Sequence, residues 1–360
     1  MQILKVLSKH KNVLFMAFGL LAFIIYLTYF VGIGSLIELI SSLNLADYSL
    51  YYSIAIGALL LSVFFDSMIW HSLLKGLSVK MQLRKVVLYN WIGNFVEMVI
   101  PCETVCGEVT RIYLAKKETN GNVGMTAAPV ITSRILSTFV YTGGLLVGSL
   151  ILVATAKMPL YLMGTLLLVS VGTMGMIGAI LYLALKEGAV EKMVKVFMAL
   201  VRVVTKSREK QEARKESLRA SLYSFSEAFQ TYKKRPKLLV KPMVYAVIAW
   251  VFTLLVYLMV FYSLGWMAIT LVDLAMVYCV SSTVETLTAG FPVGAVEITM
   301  ISLYSALGVP LVIAGAATTL TRLLTFWVQI IVGYPIFQFT GLKDLLKGGF
   351  SKDLLATEPA

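Results

Sequence analysis

The stretch Pro242–Val272, PMVYAVIAWVFTLLVYLMVFYSLGWMAITLV, contains no charged residue. A helix needs about 20 consecutive apolar residues to cross the roughly 30 Å hydrocarbon core of a bilayer, so this stretch predicts a transmembrane helix. The same property holds for three further runs, Val13–Ile33, Pro159–Leu185 and Leu323–Leu342. The chain is therefore expected to cross a membrane several times.

The composition excludes a soluble globular protein. Hydrophobic residues make up 59% of the chain and charged residues 14%, whereas soluble domains carry about 25% charged residues. No Cys/His cluster with zinc-like spacing occurs, so neither a metal nor a cofactor is expected.

Successive loops along the chain alternate between rich and poor in Lys and Arg, and cytoplasmic loops are the ones that are rich in these residues. Three lysines precede the first apolar run, the loop Gly34–Ser49 has none, and the segment Lys186–Lys241 holds 15 of the 31 basic residues. This pattern predicts cytoplasmic N and C termini in a multi-pass protein of the plasma membrane. All but three basic residues, Lys157, Arg134 and Arg322, then lie on the cytoplasmic side.

The predicted fold is an all-α polytopic membrane protein with about six transmembrane helices and two broken, re-entrant elements. The elements Val86–Ala115, broken at Pro101, and Leu274–Leu307, broken around Gly290–Gly294, are too short on each side of the break to span comfortably. The expected domain organisation is a single membrane domain, 1–342, with repeat halves of about 86–185 and 274–342, a basic amphipathic insert at 186–241 on the inner leaflet, and a tail at 343–360.

Charged residues mark an internal repeat. Glu97 precedes Arg134 by 37 residues, Glu285 precedes Arg322 by the same interval, and one offset of 188 residues relates the two pairs. Further acids, Glu108 and Glu297, follow the two breaks. Because the first broken element is expected to enter from the cytoplasm and the second from outside, the halves are predicted to form an inverted repeat, as in many transporters.

Both repeat arginines are predicted to lie near the membrane midplane. An arginine there costs at least about 2.5–3.5 kcal/mol, so a lipid-facing position is not expected. One interpretation is that Arg134 and Arg322 bind an anionic headgroup, since a planar guanidinium suits phosphate. The other is that they only pair with the four glutamates and fasten the broken elements to the long helices.

Neutral polar residues accompany these charges. Asn90, Asn94 and Ser281–Thr283 are candidates to line the same cavity, and hydrogen bonding between helices explains them almost as well. Asp66 is expected near the cytoplasmic interface, facing water.

Short motifs around these residues resemble a known family, the flippase-like membrane domain of lysyl-phosphatidylglycerol synthases, which also occurs as stand-alone proteins. The resemblance covers about residues 12–342. It is carried by Pro101 to Gly107–Glu108, Arg111 and Arg134 in the first half, and by Phe291-Pro292-Val293-Gly294, Glu297, Leu307-Gly308-Val309-Pro310, Arg322, Trp327 and Gly333 in the second.

The resemblance implies a lipid translocase with two re-entrant elements around a central cavity, moving an aminoacylated phospholipid or a polyprenyl-linked lipid between leaflets. It also adds Arg111 to the substrate-binding candidates. Two departures are present. About eighteen residues follow the last helix, so a soluble aminoacyl-transferase domain and lysyl-lipid synthesis are not expected. The segment after Pro101 has fewer glycines than the family pattern.

The expected function is a lipid flippase without enzymatic activity. Membrane lipids with anionic headgroups are the expected partners and nucleic acid is not, while a homo-oligomer is left open. Two alternatives remain. One is a membrane-embedded transferase that acts on a polyprenyl-phosphate lipid with Glu97 or Glu108 as base; the other is a scaffold for a lipid-modifying enzyme.

Overall fold

The computed structural model describes residues 33–99, 103–119, 121–154, 208–287 and 294–339, with a few isolated positions before residue 33 and between residues 164 and 178. These residues form helices, and no strand occurs among them. The helices are α1 (Ile33–Ser42), α2 (Leu45–Gly76), α3 (Leu83–Val99), α4 (Glu103–Thr119), α5 (Val123–Ala154), α6 (Arg208–Lys234), α7 (Lys237–Ser263), α8 (Leu271–Leu287), α9 (Ala295–Ala306), α10 (Leu311–Arg322), a π-helical segment (Leu323–Val328) and α11 (Gln329–Phe339).

Four helical stretches in the described part are long and apolar enough to cross a membrane: Leu45–Gly76, Val123–Gly148, Lys237–Ser263 and Leu311–Phe339. The last two contain most of the predicted apolar runs Pro242–Val272 and Leu323–Leu342, and the all-α polytopic fold class is confirmed. The predicted helices 13–33 and 159–185 lie outside the described residues. The expected loop Gly34–Ser49 is wrong in detail, because most of it lies in α1 and the start of α2.

Each predicted broken element consists of two short helices that pack against each other, α3 with α4 and α8 with α9. In the first pair the packing depends on two glycines. A Cβ atom on Gly107 would lie 2.7 Å from the carbonyl oxygen of Gly93, closer than van der Waals contact permits. The segments that join the two helices of each pair, 100–102 and 288–293, lie outside the described residues.

One offset of 188 residues relates the helices as well as the charges. Adding it to the bounds of α3 gives the bounds of α8, and adding it to the first residue of α5 gives the first residue of α10. Adding the same offset to the bounds of α2 gives residues 233–264, which nearly coincide with the bounds of α7. The recurrence therefore begins at α2 and α7, earlier than the predicted starts at residues 86 and 274, where no charged residues mark it.

The helices α2 and α7 pack side by side in opposite directions. Tyr51 near the start of α2 contacts Tyr262 near the end of α7, with ring centroids 5.7 Å apart. Halfway along, the Ser62 hydroxyl donates to the carbonyl of Ala249 over 3.1 Å. The position that the offset pairs with Ser62 is residue 250, beside this contact, so equivalent points of the two helices meet at the centre of the bundle.

The two halves also exchange partners. The first broken element packs against the last helix, where Phe95 of α3 lies 5.5 Å from Phe337 of α11 between ring centroids. The second broken element packs against α5, where the Cys279 thiol of α8 donates to the carbonyl of Tyr141 over 3.1 Å. Each broken element is thus held by the long helix of the other half.

One end of the basic insert packs into the protein interior. Only residues 208–241 of the predicted 186–241 insert are described, and they include α6. Its second half buries Ala228, Phe229 and Tyr232 in an apolar cluster with α2, α5 and α7, and the Tyr232 hydroxyl donates to the carbonyl of Leu73 over 3.0 Å. The apolar face of the end of α6 is therefore covered by protein, and the position of the insert on the inner leaflet stays a prediction.

Candidate functional site

A polar cavity of about 320 Å³ lies between the four long helical stretches and the two broken elements. Its walls combine residues from both halves. The charged and amide side chains that line it are Asp66, Asn94, Glu97, Arg134, Glu285, Arg322 and Gln329. Because buried ionisable groups in membrane segments gather at cavities and functional sites, this cavity is the candidate site.

The second-half arginine is enclosed by two carboxylates. The Nε atom of Arg322 donates to Glu297 over 2.8 Å, and its Nη1 atom donates to Glu285 over 3.0 Å. The Arg322 side chain is 5% exposed and that of Glu297 is 2% exposed. The guanidinium carbon also lies 4.6 Å from the centre of the Phe326 ring, within the range of a cation–π contact. Arg322 thereby joins α8, α9 and α10.

The first residues of α9 fix the position of Glu297. Gly294 precedes this helix with a φ of 96°, in the left-handed region that favours glycine. The Gly294 amide donates a hydrogen bond to one carboxylate oxygen of Glu297, and Arg322 donates to the other. A π-helical segment, a form often found at functional sites, begins directly after Arg322; the corresponding part of α5 is α-helical. Hydrophobic spacing gives no sign of this difference.

The first-half arginine has the same sequence spacing and a different environment. Arg134 donates to Glu97 over 3.3 Å, and its side chain is 46% exposed where it lines the cavity. It lies eleven residues after the start of α5, about 16 Å along the axis at 1.5 Å per residue. Arg134 is therefore the arginine that a ligand in the cavity can reach directly.

A second arginine of the first half, Arg111, contacts Glu97 on the side away from the large cavity. Arg111 forms an ion pair of 2.9 Å with Glu108, lies 3.9 Å from Glu97 and donates to the side-chain oxygen of Asn94. Its side chain is 7% exposed. The Arg111 guanidinium packs on Gly93, where a Cβ atom would lie 2.5 Å from Nε. The first half thus holds Glu97 between two guanidinium groups.

A smaller cavity of about 60 Å³ adjoins this network. It is lined by Asp66, Trp70, Asn90, Asn94, Glu108, Arg111, Ser133, Arg134 and Ser137. Asn90 donates to Asp66 over 2.9 Å and to the Ser67 hydroxyl over 3.1 Å. Four of these residues, Asp66, Asn94, Arg134 and Ser137, also line the large cavity, so the two spaces are separated by side chains that they share.

The structure brings eight of the nine predicted site residues into two ion-paired networks, one in each half, and the ninth, Asn90, bonds to Asp66. Five of them line the large cavity, namely Asn94, Glu97, Arg134, Glu285 and Arg322. The other four lie outside the large cavity: Asn90 donates to Asp66, Arg111 donates to Asn94, Glu297 accepts from Arg322, and Glu108 forms an ion pair with Arg111. The predicted pairing of the arginines with glutamates is present in both halves, and exposure to the cavity belongs mainly to Arg134 and Glu285. Their role in binding a substrate stays a prediction.

Several cavity residues are not predicted from the sequence. Asp66 is expected at the interface, but it lines both cavities. The sequence feature that could have indicated this position is an acid inside an otherwise apolar helix. Aromatic residues form a second group that the sequence does not distinguish from core packing, Tyr141, Trp250, Tyr257 and Tyr278. Of the predicted hydroxyl residues, Ser281 and Ser282 line the cavity and Thr283 does not.

Four cavity-lining side chains have buried polar atoms that bond to no described residue. They are the Nε1 atom of Trp250, the hydroxyl of Ser281, the Oε1 atom of Gln329 and the Nη2 atom of Arg322. The residues Ser281, Gln329 and Arg322 are each at most 9% exposed. Buried polar atoms nearly always have hydrogen-bond partners, so the cavity offers both donors and acceptors to water or to a polar ligand.

Residues 13–333 match the family described as lysylphosphatidylglycerol synthase TM region. The chain belongs to this family. It is also 25% identical over 324 residues to a UPF0104 membrane protein of Pyrococcus horikoshii, covering 86% of this chain and 92% of that relative. No solved structure shows significant similarity to the chain.

Family membership confirms the resemblance that the short motifs indicate. The matched region contains both broken elements, both repeat arginines and the whole cavity, and the relative is likewise a membrane protein by name. The chain is accordingly a multi-pass membrane protein of a lipid-related family.

Proposed function

We propose that this protein is a flippase that moves a lipid with an anionic or aminoacylated headgroup, or a polyprenyl-linked lipid, between the leaflets of the plasma membrane. The observation that carries the proposal is the polar cavity, which exposes Arg134 and Glu285 inside a bundle of membrane-spanning helices. A lipid headgroup is the polar ligand that is present in quantity at this location.

The cavity chemistry suits a headgroup better than a whole lipid. Ligand sites in proteins commonly occupy about 300–1,000 Å³, and 320 Å³ is at the lower end of that range. The guanidinium of Arg134 offers two parallel donors to a phosphate, and the Glu285 side chain, 38% exposed, offers acceptors to an ammonium group. The acyl chains would remain in the bilayer.

Two halves of opposite orientation would give such a cavity alternating access. The shared offset of 188 residues and the antiparallel contact of α2 with α7 both support an inverted repeat. So does the exchange of partners between broken elements and long helices. Rocking of one half against the other would then expose the headgroup site to each leaflet in turn. The distribution of basic residues supports cytoplasmic positions for both termini.

A membrane-embedded transferase is less well supported by the geometry. Its base would be Glu97 or Glu108, and both carboxylates are already engaged by the guanidinium groups of Arg134 and Arg111. A general base must be within reach of the proton that it removes. Membrane lipids remain the proposed partners, and no enzymatic step is proposed.

Lipid exchange in reconstituted vesicles tests the proposal. The purified chain is inserted into vesicles that contain NBD-labelled phosphatidylglycerol, and dithionite is added outside. We expect the inner-leaflet label to become accessible much faster than in protein-free vesicles, with the lipid mass unchanged. A label that stays protected would contradict the flippase, and a new covalent lipid product would instead support the transferase.

A further inference from the structure

The charges around the two cavities do not balance. Five carboxylates line the cavities or bind their arginines, whereas three guanidinium groups do so. The carboxylates are Asp66, Glu97, Glu108, Glu285 and Glu297, and the guanidinium groups are Arg111, Arg134 and Arg322. An uncompensated charge away from bulk water is costly and is relieved by neutralisation or by a counter-ion.

The first half contains one acid more than its ion pairs require. Glu97 and Glu108 are matched by Arg134 and Arg111. Asp66 instead accepts a hydrogen bond from the neutral amide of Asn90, at 2.9 Å. Among the described residues, no lysine, arginine or histidine nitrogen lies within the 4.0 Å of an ion pair with Asp66.

Asp66 stands between the large and the small cavity, since it lines both. The small cavity also contains an indole whose hydrogen is without a described acceptor, because Trp70 is 2% exposed and its Nε1 atom has no partner. The space of about 60 Å³ is large enough for water, and this donor and the Asp66 carboxylate offer water hydrogen-bond partners. A carboxylate between two hydrated spaces can receive a proton from one and release it to the other.

The repeat shows that packing does not require this acid. The offset of 188 residues pairs Asp66 with Leu254 of α7, and Leu254 is buried. The same offset pairs Asn90, the hydrogen-bond donor to Asp66, with Tyr278. The polar pair of the first half thus occupies positions that are filled by apolar and aromatic side chains in the second.

We propose that Asp66 is a proton-binding site that couples lipid movement to proton movement. The proposal rests on the proposed flippase function and adds its energy source. Each cycle forms one O–H bond on the Asp66 carboxylate with a proton from water on one side, and breaks it to return the proton to water on the other side.

A proton fits this site better than a metal ion does. Arg111 and Arg134 line the small cavity with Asp66 and would repel a second cation. A proton needs no set of ligands, because it becomes part of the carboxyl group. Metal ions such as Ca²⁺ and Mg²⁺, by contrast, require several oxygen ligands around them.

The positions of the charges predict the direction of coupling. Protonation of Asp66 removes a negative charge that attracts Arg134, and so increases the net positive charge available to an anionic headgroup. The proton and an anionic lipid are therefore expected to move in the same direction. The charged groups that line a cavity together with Asp66 are Glu97 of α3, Glu108 and Arg111 of α4, Arg134 of α5, Glu285 of α8 and Arg322 of α10. All six are already in ion pairs.

The test uses the full-length protein in vesicles with an imposed pH difference. The probe is NBD-labelled phosphatidylglycerol, and its distribution between leaflets is measured by dithionite quenching. With one proton per lipid, a gradient of one pH unit is expected to shift the leaflet ratio by up to about tenfold toward the alkaline side, since a tenfold ratio of protons balances a tenfold ratio of lipid. The Asp66→Asn variant is expected to equilibrate the probe without responding to the gradient.

The control is Asp47→Asn, which makes the same change in the first turn of α2, where the exposed Asp47 lies outside both cavities. It is expected to respond as the wild type does.

A second measurement needs no variant: a gradient of labelled lipid should change the interior pH of wild-type vesicles, as reported by a trapped dye. Lipid movement by the wild type with no pH response in either direction, or an Asp66→Asn variant that still responds, overturns coupling through Asp66 and leaves the flippase intact. A wild type that moves no lipid overturns the flippase itself.

Discussion

Replacing Arg322 by alanine is expected to lower the free energy of unfolding by about 3–5 kcal/mol, the usual cost of removing one partner from a buried ion pair. The substitution leaves Glu285 and Glu297 without their shared cation, and Glu297 is 2% exposed. It also removes the connection between α8, α9 and α10. The measurement is SDS-induced unfolding in mixed micelles, followed by tryptophan fluorescence.

Arg134→Ala is the matched control, because it makes the same change at the equivalent position of the other half. The Arg134 side chain is 46% exposed, and exposed ion pairs contribute about 0–1 kcal/mol. A much smaller loss of stability is therefore expected. Equal losses in the two variants would contradict the distinction between a structural arginine and an accessible one.

The same Arg134→Ala variant is expected to slow lipid translocation by roughly tenfold to a hundredfold. Hydrogen bonds to charged groups contribute about 1.5–3 kcal/mol, and each 1.36 kcal/mol in the barrier changes a rate by about tenfold. Arg134 is the accessible guanidinium that faces the cavity, so its loss removes the main contact with a phosphate. The dithionite experiment with reconstituted vesicles measures the rate.

Two variants make this prediction specific. Arg84→Ala removes the same charge from an exposed position in α3 that does not line either cavity, and it is expected to leave the rate unchanged. Arg134→Lys retains the charge but loses the planar pair of donors, so an intermediate rate is expected. Translocation by Arg134→Ala at the wild-type rate would show that the headgroup is held elsewhere.

The general form of the site was predictable because burying a charge in a membrane is costly. That cost requires a carboxylate near each deep arginine, and the recurring interval of 37 residues identifies Glu97 and Glu285 as those partners. The long spans were predictable for a related reason, since apolar runs of sufficient length have few alternatives to crossing the bilayer.

The difference between the two arginines was not predictable from spacing. It depends on how many carboxylates reach each guanidinium and on which side of the helix is covered by protein. Arg322 is enclosed because Gly294 and the first turn of α9 direct Glu297 toward it. In the first half the corresponding acid, Glu108, pairs with Arg111 instead, and this leaves Arg134 exposed to the cavity.

A similar limit applies to the faces of apolar helices. Asp66, Trp250 and Tyr257 lie in helices that are hydrophobic on all sides, so periodicity does not show which residues face the cavity. The end of α6 illustrates the same point, because an amphipathic basic helix has the same sequence pattern whether its apolar face contacts lipid or protein. Tertiary packing decides both cases.

A division of roles between the halves is consistent with transport. The enclosed Arg322 keeps three helical elements together as one body, whereas the accessible Arg134 can exchange protein contacts for a ligand. A transporter needs both properties, since a moving half must remain rigid and a binding group must release its substrate.

Headgroup binding at Arg134 requires that the adjacent face of α5 borders water at membrane depth. Ser137, one turn after Arg134, lines both cavities, whereas Phe139 is 48% exposed and lines neither. The most direct measurement compares Ser137→Cys with Phe139→Cys in a chain whose three native cysteines have been replaced, using a charged, water-soluble thiol reagent on the reconstituted protein. Thiols react as thiolates, which require a hydrated site, so we predict rapid labelling at position 137 and very slow labelling at position 139. Equal labelling at both positions, or labelling at position 139 alone, would contradict the wet cavity and the headgroup site with it.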